Sequence, residues 1–325
     1  MIKVGLTYDL RSEYLRMGYS EEEVAEFDFD ETVDAIEETL RNLGYQTRRI
    51  GTVKQLAAAL VEGERWDIVF NICEGMYGIG REAQVPALLD AWKIPYVFSD
   101  PLVLSLTLHK AMTKRVVRDA GIPTADFRVV NSPAETEDFD LQFPLFAKPL
   151  AEGTGKGIDG NSVISTPEEL RDVVTDLLKR FNQPVLVEKF LSGREFTVGI
   201  TGTGSNASPT GIMEIILNDK AEKEVYSYLN KEECDLYVNY AAPEREIAER
   251  CEKVALDAWR LLECQDGGRV DIRCDERGNP NFIEVNPLAG LHPVHSDLPI
   301  LSRLNGIPYT ELIGRIMTSA LEKLK

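Results

Sequence analysis

Apolar positions along the first hundred residues switch between two periods. Four short apolar runs, "IKVGLTYD", "YQTRRIG", "WDIVFNICEG" and "PYVFSD", read as strands. Between them the spacing turns helical. In "DETVDAIEETLRNLG", Val33, Ile36, Leu40 and Leu43 fall on one face and Gly44 is placed to end the helix. "VKQLAAALVEG" and "AQVPALLDAWKI" predict two more helices. Strand–helix–strand repetition predicts an α/β unit, a parallel sheet with helices on both faces. Ligands of such sheets sit beyond the carboxyl ends of the strands. Asp9, ending the first strand, and Glu74, just past the third, are therefore candidates, with solvated loop acids as the plain alternative. No GxGxxG follows the first strand, so a dinucleotide fold is not supported.

The pattern then changes character. Residues 105–120 predict one helix stopped by "GIP". "FRVVNS" and "FPLFAKPLAEG" predict strands, and "TPEELRDVVTDLLKRF" a helix with Thr166 and Glu169 spaced as a capping box. "QPVLVEKFLSGREFTVGITGTG" predicts two strands joined at Ser192-Gly193. A helix over 244–263, a hairpin and a closing helix complete an α+β region. At 325 residues the chain is expected to divide into more than one domain. The pattern divides it into residues 1–98, 99–187 and 188–325.

The hairpin "RVDIRCDERGNPNFIEVNPLAG" carries the most chemistry. A four-residue turn at Glu276–Asn279 sets Asp271 opposite Glu284, Arg269 opposite Asn286 and Arg273 opposite Phe282. Alternation along a strand puts these six on one face, and Val270, Ile272, Cys274, Ile283 and Val285 on the other. Two facing carboxylates repel. A divalent cation removes that cost, and an all-oxygen donor set of Asp271, Glu284 and Asn286 suits Mg²⁺. A solvated strand face neutralised by Arg269 and Arg273 is the alternative.

"KPLAEGTGKGIDGN" adds a glycine-rich loop with Lys148 and Lys156, suited to turning backbone N–H groups onto an anion. It is not a Walker A loop, since Leu150 and Gly157 stand where glycine and a hydroxyl are required. Lys110, early in its helix, reads as a surface lysine when taken alone. A glycine loop, lysines and an oxygen-ligand face together point to a Mg-nucleotide.

Composition changes this picture little. A formal charge of −18 gives no overall attraction to nucleic acid or anionic lipid, so neither is expected as a partner. No run of about 18 apolar residues predicts a membrane span, and no signal peptide is read at the start. Five cysteines without a CxxC pair read as buried thiols of a cytoplasmic protein.

At this point the sequence resembles the D-alanine–D-alanine ligases of the ATP-grasp superfamily. The matching stretches are "IPYVFSDPLVLSLTLHKAMTKRVVRDAGIPT", "FAKPLAEGTGKGI", "VLVEKFLSGREFTVGI", "GRVDIRCDERGNPNFIEVNPLAG" and "HSDLP". The resemblance implies an ATP-grasp fold of three domains, ATP and two Mg²⁺ ions (or Mn²⁺) as cofactors, and small amino-acid or carboxylate substrates. It also implies a homodimer through the first domain. Lys110 and Lys148 would contact phosphates, and Glu152, Gly153, Thr154 and Gly155 belong to the covering loop. Glu188, Lys189, Phe190 and Leu191 would hold the adenine edge and Glu195 the ribose. Asp271, Glu284 and Asn286 would bind the metal ions. Arg269 and the Gly290 backbone would stabilise the reacting oxygen, and Ser296 would meet a substrate carboxylate.

Four stretches depart from the family pattern. The first loop, "YDLRSEYLRMGYSEEEVAEFDFD", is longer and lacks the family's usual acidic motif. Glu74-Gly75 replaces a His-Gly pair, Thr154-Gly155 a serine pair, and Lys231-Glu232 a Lys-Tyr of the lid. These positions touch substrate more than nucleotide, so Glu74 is a candidate partner for a substrate ammonium. The same chemistry on other amino acids, or a nucleotide-binding protein without catalysis, are the competing readings.

Overall fold

The computed structural model describes residues 1–219, 221 and 234–325. Lys231, and with it the proposed lid pair, lies outside the described residues. Strands β1 (Lys3–Tyr8), β2 (Gln46–Gly51) and β3 (Ile68–Ile72) form a parallel sheet in the order β2-β1-β3. The expected fourth strand is reduced to one parallel bridge between Val69 and Tyr96. A short helix α1 (Arg11–Arg16) follows β1. Helix α2 (Asp30–Asn42) turns Val33, Ile36 and Leu40 into the core, as their spacing demands. Helices α3 (Val53–Val61) and α4 (Gln84–Ala91) bury Leu56, Leu60, Val85 and Leu89 in a second cluster.

The segment expected as one helix is two, α5 (Pro101–Leu108) and α6 (Lys110–Asp119). Asp100 caps α5, accepting from Val103 N at 3.0 Å, and Pro101 fits its first turn. His109 leaves helical geometry, with ψ at 83°, and its ring Nδ1 accepts from Met112 N at 3.2 Å. The ring thus starts a new helix where the apolar period alone runs straight through.

Strands β4 (Phe127–Val130), β5 (Leu145–Pro149), β6 (Val163–Ile164) and β7 (Val185–Lys189) make an antiparallel sheet in the order β4-β7-β5-β6. Helix α7 (Pro167–Phe181) packs on it through Leu170, Val174 and Leu177. Thr166 Oγ1 accepts from Glu169 N at 3.2 Å, while the Glu169 carboxylate accepts from Ser165 N, one residue before the expected box partner.

A second antiparallel sheet has the order β10-β9-β8-β11-β12, from β8 (Glu195–Thr201), β9 (Ser208–Leu217), β10 (Val238–Ala241), β11 (Gly267–Cys274) and β12 (Pro280–Asn286). The strands on either side of Ser192-Gly193 were expected as a joined pair. Instead β7 and β8 belong to different sheets, and the chain crosses between them at 190–194. Helix α8 (Arg245–Leu261) covers the second sheet with Cys251, Ala255 and Trp259. Helices α9 (Asp297–Leu304) and α10 (Tyr309–Ala320) close the chain, and Leu312, Ile313, Ile316 and Met317 of α10 share one core with α2 and β1. Among the described residues, no helix is long and apolar enough to cross a membrane.

Candidate functional site

The β11–β12 ribbon has the expected register at its upper end. Arg269 pairs with Asn286, Val270 with Val285 and Asp271 with Glu284. Below that, a bulge shifts the pairing, so Ile272 faces Phe282 and Arg273 faces Asn281. Phe282 therefore leaves the charged face and is fully buried in the core, while Ile283 joins the cleft. The bulge thus exchanges one apolar residue between the two faces. The bulge re-aims side chains beside a site, a common use of the device.

On the charged face each acid meets a base. Arg269 ion-pairs with Asp271, whose other oxygen accepts from Thr197 Oγ1 at 3.0 Å. Asn286 Nδ2 lies 3.5 Å from Asp271 Oδ2. Glu284 Oε2 lies 3.2 Å from Lys148 Nζ and 3.8 Å from Lys110 Nζ. Burial opposes the charge on Arg269, yet Asp271 and Asp297 outweigh it and hold the guanidinium above its ordinary pKa. Burial likewise works against Lys148, but Glu284 and Glu188 hold its ammonium above the usual lysine value. Lys110 goes the other way: burial lowers its pKa and Glu284 offsets only part.

Lys148 comes from β5 and Lys110 from the first turn of α6, whose Nζ donates to the Glu152 carbonyl. One turn on, Lys114 is fully buried and sits 2.5 Å from Glu188 Oε1 on β7. Helical spacing of four puts both lysines on the inward face. Lys114 escaped the sequence reading because a lysine in an amphipathic helix normally points to water.

A cleft with about 650 Å³ of empty space lies between the two antiparallel sheets. Phe146, Lys148, Glu188, Lys189, Phe190, Leu191 and Glu195 line it, together with Asp271, Arg273, Ile283 and Glu284. Phe146 and Phe190 stack with centroids 6.4 Å apart, and Arg273 lies over Phe190 at 4.9 Å. Arg273 also reaches Glu195 at 3.2 Å. An apolar slot ending in lysines and facing acids can take a flat base at one end and phosphates at the other.

A second cavity continues from the first past Glu284. It is lined by Lys110, Glu152, Gly153, Thr154, Arg269, Asn286 and Gly290, and by Glu26, Glu74 and Glu82 from the N-terminal part. A third holds Arg11, Asp28, His292, His295 and Ser296 and shares Glu26, Thr154, Arg269 and Gly290 with the second. Ser296 Oγ accepts from His292 N at 2.9 Å, which folds the segment after Gly290 back on itself.

The glycine-rich loop is held from the N-terminal side by two residues the sequence did not single out. Glu26 accepts from Gly153 N at 2.6 Å and pairs with Arg81 at 2.7 Å. Arg81 also donates to the Ala151 carbonyl at 2.9 Å. Lys156 closes the group, 2.7 Å from Glu152. Thr154 (φ 52°), Gly155 and Gly157 (both φ 73°) adopt left-handed backbone that turns this loop sharply. Asp9, by contrast, is not free for a ligand. Its oxygens accept from Gly75 N at 3.0 Å and Tyr14 Oη at 2.9 Å, which fixes the loop that carries Glu74.

Among the described residues no three acidic, histidine or cysteine side chains converge as a metal cluster. Two acids and one amide on the ribbon still fit a hard cation that takes its other ligands from water and phosphate oxygens, as Mg²⁺ does.

Residues 116–318 match the family model described as the D-ala D-ala ligase C-terminus. A D-alanine–D-alanine ligase of Aquifex aeolicus is 31% identical over 288 residues, covering 88% of this chain and 94% of that one. The corresponding ligase of Bordetella avium is 31% identical over 294 residues, 89% of each. Two solved structures share the fold with a TM-score of 0.75. One is a Bacillus anthracis D-alanine–D-alanine ligase complexed with ATP (23% identity; 99% of this chain, 98% of that one). The other is an Enterococcus faecalis D-Ala:D-Ser ligase (20% identity; 98% and 99%).

Proposed function

The chain belongs to the D-alanine–D-alanine ligase family, and from that premise we propose a specific division of labour within its cleft. The protein is an ATP-dependent ligase that joins a carboxylate to an amine. The observation that carries the residue-level reading is the ribbon register, which sets Asp271, Glu284 and Asn286 on one face with Arg269.

In this reading the nucleotide lies in an ATP-grasp cleft between residues 99–187 and 188–325, behind an N-terminal domain of residues 1–98. The passage of the chain from one antiparallel sheet to the other after Lys189 supports that boundary. Phe190 and Leu191 flank the adenine, with the backbone around Glu188 and Lys189 at its edge and Glu195 at the ribose. Asp271, Glu284 and Asn286 would hold Mg²⁺, which when bound neutralises the triphosphate. Lys148 and Lys110 spread the charge of the transferring phosphoryl group. The backbone N–H groups of Gly153, Thr154 and Gly155 close over the phosphates.

A substrate carboxylate oxygen attacks the γ-phosphorus, giving an acylphosphate and ADP. A second substrate's amine nitrogen then attacks the acyl carbon, and phosphate leaves. Arg269 and the Gly290 N–H would stabilise the oxyanion of that step. Ser296 meets the carboxylate of the amine substrate, and Glu74 an ammonium of the activated one. Burial in a closed site supplies much of the remaining acceleration by holding both substrates in line.

The test is incubation with ATP, Mg²⁺ and pooled amino acids. ADP and phosphate release that depends on an amino acid is the expected result. AMP and pyrophosphate would rule out the acylphosphate route, and tight ATP binding without turnover on any pool would favour a binding protein. The family resemblance also supports a homodimer through the first domain, which light scattering on the purified protein checks.

A further inference from the structure

Two carboxylates of the reaction cavity have no task in the scheme above beyond a single ammonium. Glu74 lies in the loop after β3, and Glu82 in the turn Arg81–Ala83. Both line the cavity that holds Lys110, Arg269, Asn286 and Gly290. That cavity is a ligand site on grounds independent of the acids, namely the ribbon face and its cationic partners.

Its other acids are matched. Glu26 has Arg81, Glu152 has Lys156 and Glu284 has Lys148. Glu74 and Glu82 have neither a hydrogen bond nor an ion pair among the described residues. The cation nearest in sequence is committed elsewhere, since Arg81 donates to Glu26 and to the Ala151 carbonyl. Lys110 is turned to the Glu152 carbonyl and to Glu284.

We propose that Glu74 and Glu82 together select an activated substrate with a second ammonium group besides its α-ammonium, a diamino acid in place of an amino acid with a neutral side chain. The proposal rests on the ligase reading of the same cavity. One α-ammonium satisfies one carboxylate and leaves the other enclosed beside a like charge, which is costly. Burial pushes both groups up and neighbouring carboxylates add to it, outweighing the lowering by Arg81 (and, for Glu82, by Lys110), so that the pKa of Glu82 lies at about 7. A dication replaces those protons with fixed partners. A site built to pair a polar group discriminates strongly against a ligand that lacks it.

The experiment uses the full chain with ATP and Mg²⁺ and one carboxylate substrate at a time. Hydroxylamine serves as the accepting amine, so activated acid appears as hydroxamate with ADP and phosphate. The panel is 2,3-diaminopropionate, ornithine and lysine against alanine, each as both enantiomers. At least one diamino acid is expected to exceed alanine in kcat/KM by about tenfold or more. Glu82→Gln should cut that ratio about tenfold, chiefly through KM for the acid, leave KM for ATP unchanged, and be partly rescued by Glu82→Asp. Glu74→Gln repeats the test should Glu82→Gln fail to fold. Preference for alanine in the unaltered protein overturns the proposal, as does a ratio that neither variant moves. Hydroxamate from no member of the panel, with no ADP release, overturns the ligase reading itself and this inference with it.

Discussion

On the ribbon side of the cleft, buried acids sit against buried bases. Glu188 has Lys114 at 2.5 Å and Lys148 at 3.6 Å, Glu284 has Lys148, and Asp271 has Arg269. On the N-terminal side, Glu74 and Glu82 line the second cavity, which shares Glu284 with the first, without a hydrogen bond or ion pair among the described residues. In the proposed reading the difference follows what each wall would bind. A triphosphate needs cations held in place by acids, and that wall carries its own counter-charges. A substrate ammonium needs an acid whose counter-charge arrives with the ligand. On that reading the first wall carries its own counter-charges, and the counter-charge of the second would come with the substrate.

This contrast can be broken in four places. The largest effect is expected for Glu284→Gln, which removes a charge from the metal and phosphate face. Several kcal/mol of charge stabilisation correspond to a fall in kcat on the order of 10³-fold, with the circular-dichroism melt of a folded protein. Near-normal turnover would remove the metal assignment. Next comes Lys114→Met, which removes the shorter of the two ion pairs of Glu188 and leaves it only Lys148 in the interior. A loss of roughly 3–5 kcal/mol is expected, read from the urea midpoint. An unchanged midpoint would mean that the pair is solvated.

Arg269→Met should lower kcat by about 10²-fold with little change in KM for ATP, the signature of a lost transition-state contact. A change confined to KM would assign Arg269 to ground-state binding. The smallest effect is expected for Glu26→Gln, which loosens the link between the two walls. Weakening one charge-assisted contact to the loop should raise KM for ATP about tenfold and speed hydrogen exchange across residues 151–158. Unchanged exchange would show that Arg81 alone holds the loop.

The sequence made the ribbon wall largely legible and the other wall much less so. Period-two alternation put Asp271 and Glu284 on one face, but the four-residue turn did not fix their pairing: Cys274 faces Pro280, one residue off that register, and the bulge brings the upper pairs back into it. The bulge at Ile283 is marked in "NFIEV" only by the adjacent apolar pair Phe282-Ile283, a break in the alternation too short to show which residue is the extra one. The break at His109 was hidden for a similar reason. Apolar spacing continues through it, and only the ring's bond to Met112 N makes it a cap. The Glu26–Arg81 clamp joins positions 55 apart in the chain and a loop 127 beyond Glu26. Single residues in an irregular loop carry no period that would announce such contacts. Three of the four expected parallel strands and helices α2 to α4 were legible because each follows from periodicity over several residues.

The account stands or falls on whether the charged face of the β11–β12 ribbon seats a metal-loaded triphosphate. Anomalous scattering from crystals grown with Mn²⁺ and a non-hydrolysable ATP analogue measures this directly. The predicted result is manganese bonded to oxygens of Asp271, Glu284 and Asn286 and to the nucleotide's phosphates. Manganese and phosphates found elsewhere, with Asp271 still paired to Arg269 and Glu284 to Lys148, would contradict it.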